Sequence, residues 1–395
     1  MLIEKTNITV VGLGYVGLPL FIELSKKFNV KGYDNDIKKI QKIKKNKIDF
    51  IKTKNILNRV ISSDLNKCVS DIYIICLPTP TFKNKKPDLR IISNCLKKLK
   101  KIIKKNDLII FESTYYPGTT EYLARKYISD KNFILKKDYA IAYSPERINP
   151  GDKINTLKRT TKLISSIDKK SLNKVKKIYS KICDNIHICK SIEIAEMSKL
   201  IENSQRDINI AYMNDIFKIC NKYNLNFEDV FNAAKTKWNF LDFKPGLVGG
   251  HCIAVDSYYL SQFAKDINQN IDLIDAARNV NEKMIEVYYN ILKKKLEISD
   301  KILLLGYSFK ENVSDIRNSK NLLLVKKIKK KYLKTYSFDP HVENNTLEKF
   351  ISDNQIKYKS FDKILVLVKH KYFKQKMNII KKLLKRDGEF MKIIK

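Results

Sequence analysis

No stretch of the 395 residues approaches the ~20 uncharged apolar residues that span a bilayer. The N-terminus has no basic segment leading into an apolar one. It carries Glu4 and Lys5 and runs straight into a strand pattern, so no signal peptide is expected. Cysteine is sparse: seven residues, an odd number, with no CxxC pair. That excludes a disulfide scaffold and agrees with a reducing cytoplasm. Cys68, Cys76, Cys95, Cys183, Cys189 and Cys220 sit in apolar or mixed contexts and are expected to be inert. No metal site is expected. Acidic residues are few against 78 Lys and Arg, and the formal net charge is +36. Such a charge suggests a polyanionic partner. The lysines, however, are spread along the whole chain without a basic arm or interleaved aromatics, so compositional drift is the better reading and nucleic acid is not expected.

What is present is ordinary globular material, 44% hydrophobic and 10% aromatic, in a chain long enough for two or three domains. Strand and helix signals alternate over the first 150 residues. NITVV (7–11) ends in glycines, 19–27 reads as a helix and 30–34 as the next strand. DIYIICL (71–77), DLIIFE (107–112) and YAIAY (139–143) are continuous apolar runs, as strands buried on both faces require. From 191 to about 223 the apolar period becomes helical without a Gly or Pro break, and a second helix runs over about 272–296. A Gly/Pro-rich loop, 244–250, lies between them. The strand–helix alternation restarts at KILLLG (301–306), with a helix over 319–331 and strands over 334–339 and 363–368, the last strand expected. The fold class is α/β, two Rossmann-like doubly wound domains joined by a central helical domain. The boundaries are 1–190, 191–298 and 299–395.

Gly12-Leu-Gly14-Tyr-Val-Gly17 follows a strand and opens a helix. The first glycine permits a tight turn, the second lets backbone approach a pyrophosphate, and the third allows close helix–strand packing. Asp34 closes the next strand at about the ~20-residue offset of a ribose-binding acid. It would repel a 2′-phosphate, so the expected cofactor is NAD and not NADP. Gly249-Gly250-His251-Cys252, with Asp256 four residues on, places a thiol beside glycine-rich backbone. A thiolate is the strongest side-chain nucleophile near neutral pH. On these residues alone, a small buried cysteine in a loop is the better-supported reading.

Seven collinear segments change that balance. They are GLGYVGLPL (12–20), FESTYYPGTTE (111–121), YSPERINPGD (143–152), KLIENSQRDINIA (199–211), KWNF (237–240), GLVGGHCIAVD (246–256) and YSFKENVSDIRNS (307–319). Along nearly its whole length the chain resembles the UDP-glucose/GDP-mannose dehydrogenase family, most of all its bacterial UDP-N-acetylglucosamine and UDP-N-acetylgalactosamine 6-dehydrogenases. The resemblance implies a Rossmann NAD domain, a helical dimer-forming middle and a second Rossmann-like domain for the UDP half. It implies a four-electron oxidation of a sugar C6 alcohol in the cytoplasm, through a cysteine thiohemiacetal and thioester, to a uronic acid for surface polysaccharide. Homodimers or larger homo-oligomers follow from it, with no membrane attachment.

Carried over residue by residue, Cys252 matches the nucleophile. Lys199 and Asn203, at i and i+4 on one helix face, match the groups that stabilise the oxyanion. Asp256 and Glu146 match the acid/base and water-activating carboxylates, and Thr114 a nearby hydroxyl. Without the motif, Lys199 and Asn203 would read as a solvated helix face. The resemblance adds Tyr15, Val16, Thr79 and Thr114 to the cofactor set, and Glu146, Arg147, Lys199, Asn203, Lys244 and Gly249 to the substrate set. Lys310 and Arg317 match basic residues that reach the nucleotide-sugar phosphates; apart from the motif they are surface charge in a lysine-rich chain. Two positions depart. Lys244 stands where the subgroup has arginine, and Ser257 follows Asp256 where it has proline. His251 stands where UDP-glucose enzymes usually carry serine. UDP-glucose 6-dehydrogenase is the alternative enzyme, and a catalytically relic polyanion-binding homologue the alternative of another class.

Overall fold

The computed structural model describes residues 6–48, 51, 53, 56, 58–148, 154–250, 253–342, 359–391 and 393. It divides into two compact units, Met1–Glu202 with Tyr258–Gln269, and Asn203–Ser257 with Asn270–Lys395.

The first unit is built on strands β1 (Asn7–Val11), β2 (Asn29–Tyr33), β3 (Ile61–Ser62), β4 (Ile72–Ile75), β5 (Leu108–Phe111), β6 (Ala140–Tyr143), β7 (Lys162–Ser166) and β8 (Ile186–Ile188). Among the described residues they form one sheet in the order β3-β2-β1-β4-β5-β6-β7-β8. The strands from β3 to β6 are parallel, β7 runs antiparallel to β6, and β8 is parallel to β7. The first six positions follow the Rossmann order, with its switch point between β1 and β4. Helices α1 (Gly17–Ser25), α2 (Ile37–Lys44), α3 (Arg90–Leu99), α4 (Thr119–Tyr127) and α5 (Lys169–Tyr179) connect them. Alternation along each strand divides the core into two layers. Ile8, Val10, Ile72, Ile74 and Ile110 enter one, while Val11, Tyr73, Ile75, Ile109 and Phe111 enter the other. This is why these strands read as unbroken apolar runs.

Helix α6 (Ile192–Tyr223) begins in the first unit and continues in the second. After it come α7 (Phe227–Lys235), α8 (Ile253–Asp266) and α9 (Asp272–Lys293). The second unit's sheet has β9 (Ile302–Leu305), β10 (Thr335–Phe338), β11 (Phe361–Val366) and β12 (Leu384–Met391), all parallel, in the order β10-β9-β11-β12. Helices α10 (Lys320–Lys331), α11 (Lys371–Gln375) and α12 (Met377–Lys382) complete it.

Several elements escape the sequence pattern, among them α7, α8 and β12. Asn226 caps α7 by accepting the amide of Glu228 at 2.9 Å. α8 starts immediately past the Gly-rich segment. β12, with sequence LKRDGEFM, is an edge strand, and its charges hide the apolar alternation. The strand expected at 363–368 is therefore not the last: it is β11, shifted two residues toward the N-terminus, and β12 lies outside it. Among the described residues no helix is long and apolar enough to cross a membrane.

Candidate active site

The GxGxxG turn opens at the C-terminal end of β1. Gly12 has φ +93°, and a Cβ there would meet the Cys76 carbonyl oxygen at 2.8 Å. A Cβ on Gly17 would stand 1.8 Å from the Gly12 carbonyl oxygen, so helix and turn touch backbone to backbone. At Gly14 a Cβ would meet nothing within 4 Å. The turn therefore packs tightly at its first and third glycines and leaves open space at its second, over the α1 N-terminus. Tyr15 and Val16 complete the turn, half-buried, and Thr79 lies in the segment leaving β4, across the switch point.

Asp34 is buried at the end of β2. Its Oδ2 accepts the Leu13 amide at 2.8 Å and the Lys39 ammonium at 2.8 Å, while Oδ1 accepts the Asp36 amide at 3.0 Å. Asp34 thus braces the glycine turn. Lys39, on α2, has no motif signal in the sequence. Asp34→Ala should remove the anionic repulsion and leave the Lys39 ammonium beside the ribose position. Like-charge juxtaposition is worth several kcal/mol, so the NAD-over-NADP ratio of kcat/KM should fall by about tenfold or more. An unchanged ratio would contradict this assignment.

Thr114 and Glu146 leave the same edge, from the ends of β5 and β6. Ser113 Oγ donates to the Leu77 carbonyl at 2.6 Å and so ties the Thr114 segment to that of Thr79. Glu146 Oε1 accepts the amides of Arg147 at 2.7 Å and Ile148 at 2.6 Å. The Arg147 guanidinium is engaged by Glu202 on α6 (Nη2 to Oε1, 2.9 Å) and by the Thr161 carbonyl at 2.7 Å. The PGTT part of the 111–121 motif forms the N-terminus of α4, and buried Glu196 of α6 caps it. Glu196 accepts the Gly118 amide at 2.7 Å, the Thr120 amide at 2.9 Å and the Thr120 hydroxyl at 2.6 Å. Burial pushes the Glu196 carboxyl up to about 7 against the pull of those donors. Tyr259 donates to the Thr79 carbonyl at 3.1 Å.

Lys199 is buried on α6 and makes no ion pair with another described residue. Further along the same helix, Asn203, Asp207 and Asn214 are buried too. Asn203 Nδ2 donates to Asp256 Oδ2 at 2.5 Å. Asp207 Oδ2 accepts the Ser257 hydroxyl at 2.9 Å, and its Oδ1 accepts Arg278 Nη1 at 2.7 Å and Asn281 Nδ2 at 2.7 Å. Burial pushes the Asp207 carboxyl upward against Arg278 and these donors. Asn214 bonds both the amide of Gly246, at 2.8 Å, and its carbonyl, at 3.1 Å. One polar stripe of α6 therefore grips the chain on both sides of Cys252, at Gly246 and at Asp256-Ser257. Cys252 and His251 themselves lie outside the described residues. Sequence reasoning found Asn203 and Asp256 but missed Asp207, Asn214, Arg278 and Asn281. Their only signal was a polar residue recurring at helical spacing on a face that, apart from the motif, reads as solvated.

The glycines before Cys252 serve packing. A Cβ on Gly249 would stand 2.6 Å from the Asn318 carbonyl oxygen, and one on Gly250, at φ +84°, would stand 2.7 Å from the Phe309 ring. Both contacts are to the 307–319 segment leaving β9, which carries Lys310 and Arg317. Lys310 is half-buried there, and the exposed Arg317 chelates Asp315 through Nε at 2.9 Å and Nη2 at 2.6 Å. Lys244 is exposed, 3.9 Å from Glu228 and above the Phe231 ring. The remaining cysteines are buried. Burial pushes the thiols up to about 11 at Cys68 and about 12 at Cys95 and Cys183, and raises Cys76 and Cys189 as well, so these five stay protonated near neutral pH.

The chain matches the family models for the UDP-glucose/GDP-mannose dehydrogenase NAD binding domain over residues 6–183, central domain over 193–283 and UDP binding domain over 303–391. It is 38% identical to the protein CapL of Staphylococcus aureus, over 95% of this chain and 92% of that one. It is 36% identical to the UDP-N-acetyl-D-glucosamine 6-dehydrogenase of Salmonella typhi, over 94% and 92%. The solved UDP-D-ManNAc dehydrogenase of Pyrococcus horikoshii superimposes with a TM-score of 0.83 at 29% identity, covering 95% of this chain and 93% of that one. With three collinear domains matched and the cofactor turn in place, the chain belongs to the UDP-glucose/GDP-mannose dehydrogenase family and is an NAD-dependent nucleotide-sugar dehydrogenase.

Proposed function

We propose that this enzyme oxidises C6 of a UDP-N-acetylhexosamine to the uronic acid, with Cys252 as covalent nucleophile. The observation that carries the reading is the double grip of α6 on the Cys252 segment, by Asn214 on Gly246 and by Asn203 and Asp207 on Asp256 and Ser257. Buried polar groups that satisfy one another in this way avoid the cost of desolvation and hold the segment rigidly. NAD, when bound, accepts one hydride at each of the two oxidations. The chain's own residues do the rest. The Cys252 sulfur holds the aldehyde carbon as a thiohemiacetal and, after the second oxidation, the acyl carbon as a thioester. The buried ammonium of Lys199 stabilises the oxygen that becomes negative. Asp256, oriented by Asn203, takes and returns the proton, and Glu146 activates the water that releases the acid, with Thr114 as a hydroxyl ligand. The sum is alcohol plus two NAD+ plus water to carboxylate, two NADH and three protons.

Residues 1–190 serve the cofactor, 191–298 the covalent chemistry and 299–395 the UDP half, with Lys310 and Arg317 turned to phosphate when substrate displaces Asp315. Arg147, Lys244 and Gly249 border the substrate. Helix α6 supports self-association. Ile194, Ile201, Tyr212, Ile219 and Tyr223 are exposed at spacings of 7, 11, 7 and 4, a single stripe opposite the polar one. A second copy of the chain is its natural cover, making a homodimer. The enzyme works in the cytoplasm, where its cysteines stay reduced, and supplies a uronic acid for polysaccharide assembly.

An N-acetylhexosamine is favoured over glucose by His251, and by relatives named for N-acetylglucosamine and N-acetylmannosamine. The test is NADH release from UDP-linked N-acetylglucosamine, N-acetylgalactosamine, N-acetylmannosamine and glucose, followed to completion. Two NADH per sugar, with kcat/KM highest for one of the N-acetyl sugars, is expected. One NADH per sugar, or a preference for UDP-glucose, would overturn it.

A further inference from the structure

β7 reverses direction against β6, with Ala142 opposite Ser166 and Tyr143 opposite Ser165. Its first residue, Lys162, therefore lies at the edge where β5 and β6 end. The Lys162 side chain is 3% exposed. Its ammonium donates to Glu112 Oε2 at 2.5 Å and to the Pro145 carbonyl at 3.1 Å, and lies 3.8 Å from Glu146 Oε2. Glu112, wholly buried at the end of β5, also accepts the hydroxyl of buried Tyr179 on α5. The Tyr179 ring lies beneath the ammonium at 5.2 Å. Cys76 from the end of β4 and Cys183 beyond α5 also face the cluster.

An ion pair this deep is weak evidence for stability, because desolvation offsets the attraction. Its placement is informative. Glu112 is two residues before Thr114, and Pro145 directly precedes Glu146. Lys162 therefore ties together the two segments that carry a proposed catalytic hydroxyl and the proposed water-activating carboxylate. Burial pushes the Glu112 carboxyl up to about 7 even beside the ammonium. Burial alone would lower Lys162, but the two carboxylates reverse this and hold it raised and charged.

We propose that Lys162 is a positioning residue for thioester hydrolysis: with Glu112 it fixes the Pro145–Glu146 turn and the orientation of the Glu146 carboxylate. The inference rests on the reading of Glu146 as the water activator. It separates the two halves of the reaction, since both hydride transfers precede the step that Glu146 serves.

The experiment compares wild type, Glu146→Gln, Lys162→Met, Lys162→Arg and the double variant Glu112→Gln/Lys162→Met. Rapid mixing with NAD and the preferred UDP-sugar measures the NADH burst, and acid quench with intact mass measures bound acyl-enzyme. Lys162→Met should keep a burst of about two NADH per active site and leave the KM values for NAD and sugar within about twofold. Its steady-state turnover should drop by about tenfold or more, with acyl-enzyme accumulating. Lys162→Arg should recover part of that rate. The double variant removes both charges without stranding either, so it tests the same point even if Lys162→Met fails to fold; it too should accumulate acyl-enzyme. A soluble Lys162→Met or double variant that turns over at the wild-type rate, or that loses the burst along with turnover, would overturn the role of Lys162. Wild-type turnover by Glu146→Gln would instead overturn the reading of Glu146.

Discussion

Replacing Cys252 by serine should leave a folded protein that binds NAD and yet turns over ~10³-fold or more slowly. The cofactor turn is held by Gly12, Gly17 and Asp34, none of which depends on the thiol. The segment around Cys252 is held at Gly246, Asp256 and Ser257 by α6, so a change of sulfur to oxygen should not release it. The loss is chemical. An alcohol becomes an acid through two hydride departures, and the aldehyde between them must be retained. A serine hydroxyl adds poorly to it, and any resulting ester hydrolyses slowly. The first oxidation should therefore survive better than the second. Stopped-flow NADH traces should show at most one fast equivalent, followed by a stall with aldehyde or its serine hemiacetal present, and any ester should form only with a slow second equivalent. Uronic acid formed at near the wild-type rate, with two NADH per sugar, would exclude the covalent route.

The pair Asn203–Asp256 should give the next largest effect. Asn203 donates to Asp256 across 2.5 Å, with both side chains buried, so the amide both orients the carboxylate and stabilises its charge. Asp256→Asn should lower kcat by about 10²–10³, the range of lost acid–base or oxyanion assistance. Asn203→Ala should lower it comparably, because the Asp256 carboxylate then loses that donor and the orientation it gives. The double variant should be little worse than either single one. A thermodynamic cycle on kcat/KM should therefore report coupling on the order of 1–3 kcal/mol. Additive losses would mean that the two residues act separately.

The sequence announces the strands well, and for a physical reason. In a sheet covered on both faces every strand residue is buried, so DIYIICL and DLIIFE stand out as continuous apolar runs. β12 is hidden because it is an edge strand carrying Lys385, Arg386, Asp387 and Glu389. The glycine turn and Asp34 are legible because their spacing is dictated by backbone contact. α6 is legible as a helix but misleading in its faces. Its buried stripe is polar and its opposite stripe is exposed and apolar, the reverse of a surface helix. A pattern reader sees Lys199 and Asn203 as solvated and Asp207 not at all. Arg278, 71 residues after Asp207, meets it only through the fold. Gly249 and Gly250 look like room for a ligand, yet their missing side chains admit Asn318 and Phe309. Lys162 sits in the unremarked TTKLISS. Its meaning depends on β7 reversing direction, which no local pattern encodes.

The central claim is that the substrate carbon is carried on the Cys252 sulfur between two oxidations. Rapid-quench intact-mass analysis of the wild-type enzyme during a single turnover with NAD and the preferred UDP-sugar tests it most directly. The account predicts a transient adduct of one UDP-hexosaminuronyl group per chain. It should map to the peptide containing Cys252, be cleaved by hydroxylamine as a thioester, and decay as uronic acid appears. Two NADH and uronic acid formed with no adduct at any quench time, and turnover retained after Cys252→Ala, would contradict it.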